Sequence, residues 1–230
     1  MKKAYSILSE PGFGQINGFT GFNKTSNFYK LNFLRINHFF AGILFTGCFF
    51  VGIKSNAQNW DIDLLRSINP QDPNSSVWKG FSGSAYPVSI ATPIAVWVHG
   101  EINHNKQTKI KAYEIAGSVI IAAGATAAMK IIFDRERPYE KYDEVYPYKY
   151  EQGKSFPSGH ATLAFATATS VSLEYKKWYI VVPAYAWAFG VGYSRLYLGQ
   201  HYPTDVIGGA ITGAGSAFLS HWLSKKIFKP

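Results

Sequence analysis

Five apolar segments of helical length, at about 84–99, 112–133, 159–174, 178–196 and 205–223, leave this chain little choice of fold. Polar linkers separate them, and none shows the strict alternation or the hairpin turns that a sheet requires. Ahead of them, Trp60, Leu64, Leu65 and Ile68 recur at helical spacing, which predicts a short amphipathic helix. Residues 69–76, rich in Asn, Pro and Ser, read as a loop. The expected architecture is all-α, a helical bundle of about five to six core helices.

The 230 residues suffice for one domain with an N-terminal extension. Residues 1–57 hold six Lys/Arg against one Asp/Glu, so they supply most of the +9 net charge. The remainder holds 17 against 13, with no basic run of the kind that tracks nucleic acid. Within the extension, the basic residues Lys30 and Arg35 precede a short apolar block at 38–53, and small residues follow at Ser55 and Ala57. That order predicts a signal peptide cut after Ala57, leaving 58–230 as the main domain. An uncut membrane anchor and a lipid on Cys48 are the other readings of the same block. Cys48 is the only cysteine, which excludes a disulfide framework and a cysteine metal site.

The apolar segments also favour a bundle seated in a membrane over a soluble one. Segment 112–133 is nearly free of charge over about the 20 residues a span needs. Segment 178–196 has Trp178, Tyr179, Tyr193 and Tyr197 near its ends, where interfacial anchors sit. Segment 205–223 carries Gly208, Gly209, Gly213 and Gly215 among small residues, suited to close helix packing in lipid. Segment 84–99 speaks the other way, with two prolines and a short apolar run.

Three polar clusters lie at the ends of these segments. Lys130 and Arg137 are seven apart, and Pro138 disfavours helix at Arg137. Lys130 therefore belongs to the end of one helix and Arg137 lies just beyond it. Ser158 is a good N-cap for the next helix, Gly159 permits close backbone approach, and free N–H groups at a helix start attract anions. His160 follows in the first turn. Arg195 ends a later helix, and His201 and Asp205 stand four apart after it. At that spacing a carboxylate can hold one imidazole nitrogen and leave the other as a nucleophile. Singly these residues read as caps, surface charges or half-buried polar groups. Together they are the inventory for a phosphate-like dianion with a nucleophile beside it. The tyrosine-rich loop 139–156 joins the first two clusters and is expected to shape the mouth of the site.

In order, the clusters read K-x6-R-P, P-S-G-H and S-R-x5-H-x3-D. With these motifs the chain, over about residues 60–223, resembles the phosphatidic acid phosphatase type 2 and vanadium haloperoxidase superfamily. The resemblance implies an all-helical core with the site between helix ends, facing the periplasm in membrane members. It implies that His201 attacks phosphorus, that Asp205 orients His201, and that His160 protonates the leaving oxygen and then activates water. Lys130, Arg137, Ser158, Gly159 and Arg195 would bind the phosphoryl oxygens. Three cations and a helix start can take the place of a metal, so no metal and no cofactor is expected. The expected partner is a phosphorylated substrate, above all a lipid phosphate, presented at a membrane, with no nucleic acid. A soluble periplasmic phosphatase for small esters is the nearest alternative. A vanadate-dependent haloperoxidase and a non-catalytic envelope protein are the competing classes.

Overall fold

The computed structural model describes residues 57–228, with side chains from Trp60 onward. The expected signal peptide, its cleavage point and Cys48 lie outside the described side chains. Among the described residues seven helices run in order: α1 (Ala57–Ile68), α2 (Ser76–Ile102), α3 (Lys106–Phe133), α4 (Pro138–Lys141), α5 (Gly159–Tyr175), α6 (Trp178–Tyr197) and α7 (Pro203–Ile227), of which α4 forms in the stretch expected to be loop. Among the described residues there is no strand.

α5 is the axis of the bundle. It packs against α2, α3, α6 and α7, and its residues from Ala161 to Ser170 are all buried. A helix buried on every side cannot be amphipathic, and α5 meets that condition with Ala, Thr and Ser rather than bulky residues. Small side chains bring the helices close, and hydroxyls stitch them. Ser89 of α2 donates to the Leu163 carbonyl at 3.3 Å, and Ser118 of α3 to the Ala166 carbonyl at 3.3 Å. This is packing by contact and interhelical hydrogen bonds, as in lipid.

The glycines of α7 divide. A Cβ on Gly209 would stand 2.7 Å from the Ser158 carbonyl, and one on Gly213 would strike the Thr162 carbonyl and the Ala166 amide. Gly215 faces open space and is not part of the expected packing stripe. Gly213→Val is therefore expected to push α7 off α5 and destabilise the protein by about 3 kcal/mol, at the upper end of overpacking. Gly215→Val should leave thermal unfolding in detergent nearly unchanged.

α2 corrects one expectation. Its helix runs through Pro87 and Pro93 without a break and is longer than the segment at 84–99. Packing against α3, α5 and α6 overrides the local preference. The surface of the bundle is apolar at positions such as Ile94, Ile120, Phe189, Ile211 and Phe218, all more than half exposed. α3 is, among the described residues, the one helix long and apolar enough to cross a membrane by length and composition, and less than a quarter of its apolar window is buried inside the fold. α6 and α7 do not reach that threshold, because glycine, serine and tyrosine dilute their apolar character.

Candidate active site

The three clusters meet at one pole of the bundle. Lys130 is in the last turn of α3, and Arg137 immediately precedes α4. Ser158, Gly159 and His160 open α5, Arg195 lies in the last turn of α6, and Asp205 in the first turn of α7. His201 sits in the short connection between α6 and α7. Antiparallel helices return to the same end of a bundle, so residues far apart in sequence share a pole.

His201 and Asp205 are buried almost completely, at 1% and 0% exposure. His201 Nδ1 lies 3.5 Å from Asp205 Oδ2, long for a direct hydrogen bond. Ser155 closes the gap: its hydroxyl donates to Asp205 Oδ2 at 2.5 Å and lies 3.3 Å from His201 Nδ1. The carboxylate thus holds the imidazole in part through a serine, which adds a link to the expected pair. Burial, and then the charges of Arg195, Arg137 and Lys130, push the His201 imidazole well below its ordinary range and keep it neutral.

Asp205 is itself fixed on every side. Arg135 Nη1 donates to Oδ1 at 2.7 Å, and the Tyr202 amide donates to Oδ2 at 2.9 Å. Arg135 in turn donates to Asp61 Oδ2 at 2.6 Å and lies 3.9 Å above the Tyr202 ring. Asp61 also accepts from the Thr204 amide at 2.9 Å and the Thr204 hydroxyl at 2.6 Å. A carboxylate from α1 therefore takes a free N–H at the start of α7, whose own N-cap, Tyr202, makes no side-chain cap.

The cationic side of the site is organised by Glu151. Its Oε2 accepts from Arg195 Nη2 at 2.7 Å and lies 3.3 Å from Arg137 Nη1. Burial alone would raise this carboxyl, but Arg195 and then Arg137 hold it at about 2. Arg137 also donates to the carbonyls of Gly153 at 2.9 Å and Gln200 at 3.2 Å. Arg195 Nη1 donates to Ser82 Oγ at 2.6 Å, and Lys130 Nζ donates to the Lys154 carbonyl. His160 packs edge-on against Tyr86, with ring centroids 4.7 Å apart.

Two donors in this shell lack a partner: the buried Ser158 hydroxyl and Arg195 Nε. Ser158, expected to cap α5, holds the N-cap position but makes no side-chain cap bond. Its amide instead donates to the Asp205 carbonyl at 3.0 Å, tying the start of α5 to that of α7. Buried donors without partners are uncommon, and each is of the kind that bonds an oxyanion; Glu151 Oε1 and Gln200 Oε1, acceptors in the same shell, also lack hydrogen bonds.

Sequence reading missed Asp61, Arg135, Glu151 and Ser155. Asp61 had a signal: with Leu64, Leu65 and Ile68 it stands at i, i+3, i+4 and i+7, a carboxylate on an apolar face. Trp60, assigned to that face, is 49% exposed, whereas Asp61 is 2% exposed. Glu151, Ser155 and Arg135 lie in an aperiodic linker rich in charge, where spacing says nothing. The 139–156 loop does border the site, and it is well anchored. Asn69 exchanges hydrogen bonds with the Tyr146 backbone at 2.9 and 2.8 Å, and Gln200 donates to the Lys149 carbonyl at 2.8 Å.

A helical bundle with a buried carboxylate-held imidazole and a cluster of cations at one pole defines a class of anion-binding sites. The chain belongs to the PAP2 superfamily, whose family model matches residues 111–229. A lipid A 4'-phosphatase of Bacteroides thetaiotaomicron is 37% identical over 75 residues, which are 33% of this chain and 33% of that protein. The chain thus covers about a third of the length of that curated relative. The crystal structure of Aquifex aeolicus LpxE is similar with a TM-score of 0.59 and 26% identity, covering 71% of this chain and 95% of that one. A transmembrane PAP2-type phosphatidylglycerolphosphate phosphatase from Bacillus subtilis shares the fold with a TM-score of 0.64 at 22% identity, covering 81% and 96%.

Proposed function

We propose that this protein is a lipid phosphate phosphatase that works through a phosphohistidine, with its catalytic pole on the periplasmic side of a membrane. The observation that carries the reading is the neutral, carboxylate-held His201 beside a shell whose buried Ser158 hydroxyl and Arg195 Nε have no partner. Nδ1 of His201 is committed to Ser155 and Asp205, so Nε2 is the nitrogen that attacks phosphorus. As the P–N bond forms, the ester P–O bond breaks, and His160, which takes up a proton when the phosphate brings its negative charge, gives that proton to the leaving oxygen. Water then attacks the phosphorus of the phosphohistidine, the P–N bond breaks to release inorganic phosphate and neutral His201, and the proton of the water passes to His160. Asp205, backed by Arg135, stabilises the positive imidazole of the intermediate.

The phosphoryl oxygens would be met by Lys130, Arg137, Arg195, the Ser158 hydroxyl and the Gly159 amide. Each cation at about 4 Å contributes roughly 4 kcal/mol of attraction at an effective dielectric of 20. Glu151 holds Arg137 and Arg195 until the phosphate arrives, so binding exchanges one anion for another.

A membrane setting is supported by the exposed apolar flank and by aromatic residues near both poles. Trp78 packs on Tyr193 at 4.5 Å near the catalytic pole, and Trp178 and Trp222 stand exposed near the other. The second pole carries Lys106, Lys109, Lys111, Lys176, Lys177, Lys225 and Lys226, a basic collar suited to an anionic cytoplasmic leaflet. The lipid reading also draws on the names of the similar proteins, a lipid A 4'-phosphatase and a phosphatidylglycerolphosphate phosphatase.

The test is phosphate release by the detergent-purified protein from a panel of a lipid A phosphate, a phosphatidylglycerophosphate, a polyprenyl diphosphate and a soluble monoester. At least one lipid should be turned over faster than the soluble ester, and EDTA should leave the initial rate intact. Equal rates on soluble and lipid esters would overturn the lipid assignment. Strict dependence on Mg²⁺ would overturn the cationic mechanism.

A further inference from the structure

The pole opposite the phosphate site holds a second cluster of polar side chains that this mechanism does not use. Glu114 of α3, Glu174 of α5 and His221 of α7 bring one ligand atom each to a common point, all within 4.8 Å of one another. His221 Nδ1 lies 2.5 Å from Glu114 Oε1 and 3.3 Å from Glu174 Oε1. The three side chains are 19%, 4% and 10% exposed for His221, Glu114 and Glu174. A cavity of 730 Å³, lined in part by Lys106, Ser224 and Lys225, reaches all three.

An ordinary His–Glu pair would account for two of these groups but not for the third. Nδ1 carries at most one proton and cannot serve two carboxylates well. Lys111 offers Glu174 only partial relief: its Nζ is 3.9 Å from Oε2 and donates to the Glu174 carbonyl at 3.0 Å. A divalent cation accepts from all three atoms at once, and two carboxylates with a neutral imidazole match its charge. One nitrogen and two oxygens from three helices, with cavity space for a water as fourth ligand, is a donor set for zinc-type ions. Mg²⁺ and Ca²⁺ ask for six or more oxygens.

We propose that Glu114, Glu174 and His221 form a binding site for a divalent transition-metal ion of the zinc type, a clasp that ties α3, α5 and α7 together. It is separate from the phosphate site and takes no part in the chemistry there. Metal that binds only the folded state stabilises it by mass action.

The experiment uses the full chain in detergent, stripped with chelator and titrated with Co²⁺ and then Zn²⁺. The expected result is the visible absorption of four-coordinate cobalt at one equivalent, displaced by one equivalent of zinc. The melting temperature should rise by roughly 5 °C at saturating zinc. Both signals should vanish in His221→Ala and in Glu174→Gln and persist in His201→Ala. No cobalt signal from the wild-type chain would overturn the site even if the variants fail to fold. So would a signal retained by both variants, or a melting temperature that moves with pH but not with metal, which would make the cluster a shared-proton pair.

Discussion

His201→Ala is expected to lose phosphate release by roughly 10⁴-fold or more, because a residue that forms the covalent intermediate has no substitute. The folded state should survive. Asp205 keeps its bonds to Arg135, Ser155 and the Tyr202 amide when the imidazole is gone, so no buried carboxylate is orphaned. Trapping separates the two imidazoles. Brief exposure to a labelled phosphate ester whose leaving group needs no proton, such as a nitrophenolate, should leave acid-labile label on the chain in His160→Asn, where hydrolysis of the intermediate is slowed. It should leave none in His201→Ala. Turnover by His201→Ala above about one per cent of wild type would end the nucleophile assignment, as would label that persists in that variant.

Asp61→Ala is expected to have the largest effect on stability, although Asp61 is remote from the phosphoryl pocket. Removing one partner of a buried ion pair costs about 3 kcal/mol or more. Here the loss strips Arg135 of one of its two carboxylates and leaves the Thr204 amide and hydroxyl without an acceptor. The melting temperature should fall by roughly 6 °C or more. Turnover should fall too, with KM nearly unchanged, because the damage reaches Asp205 and the imidazolium it supports rather than the cations that bind substrate. Asp61→Asn keeps an acceptor for the Thr204 amide but not the charge, so it should recover part of the stability and little of the rate. An Asp61→Ala protein with wild-type melting would show that Arg135 and α7 are held in place without α1.

Six of the seven described helices, and the positions of the eight candidate residues at or just beyond their ends, were legible in the sequence because both rest on local rules; the short α4 was not, since it lies in a stretch read as a loop. Apolar segments of helical length exclude a sheet. Arg137 before a proline, Ser158-Gly159-His160 at a helix start, and His201 four before Asp205 each have a physical meaning at short range. Their supports were not legible. Arg135, Glu151 and Ser155 sit in a linker without periodicity, and their partners are at Asp61, Arg195 and Asp205. Asp61 alone left a trace, a carboxylate on the apolar face of α1, and the larger Trp60 masked it.

What the chain order settles unaided is the all-helical class and which polar residues stand at which helix ends. The closing of α7 onto α5 at Gly209 and Gly213, the serine between His201 and Asp205, and the glutamate between two arginines belong to the tertiary structure. Helix formation is governed by neighbours a turn away. A buried charge is governed by whichever opposite charge the packing delivers, and in this bundle that partner comes from another helix end tens of residues distant.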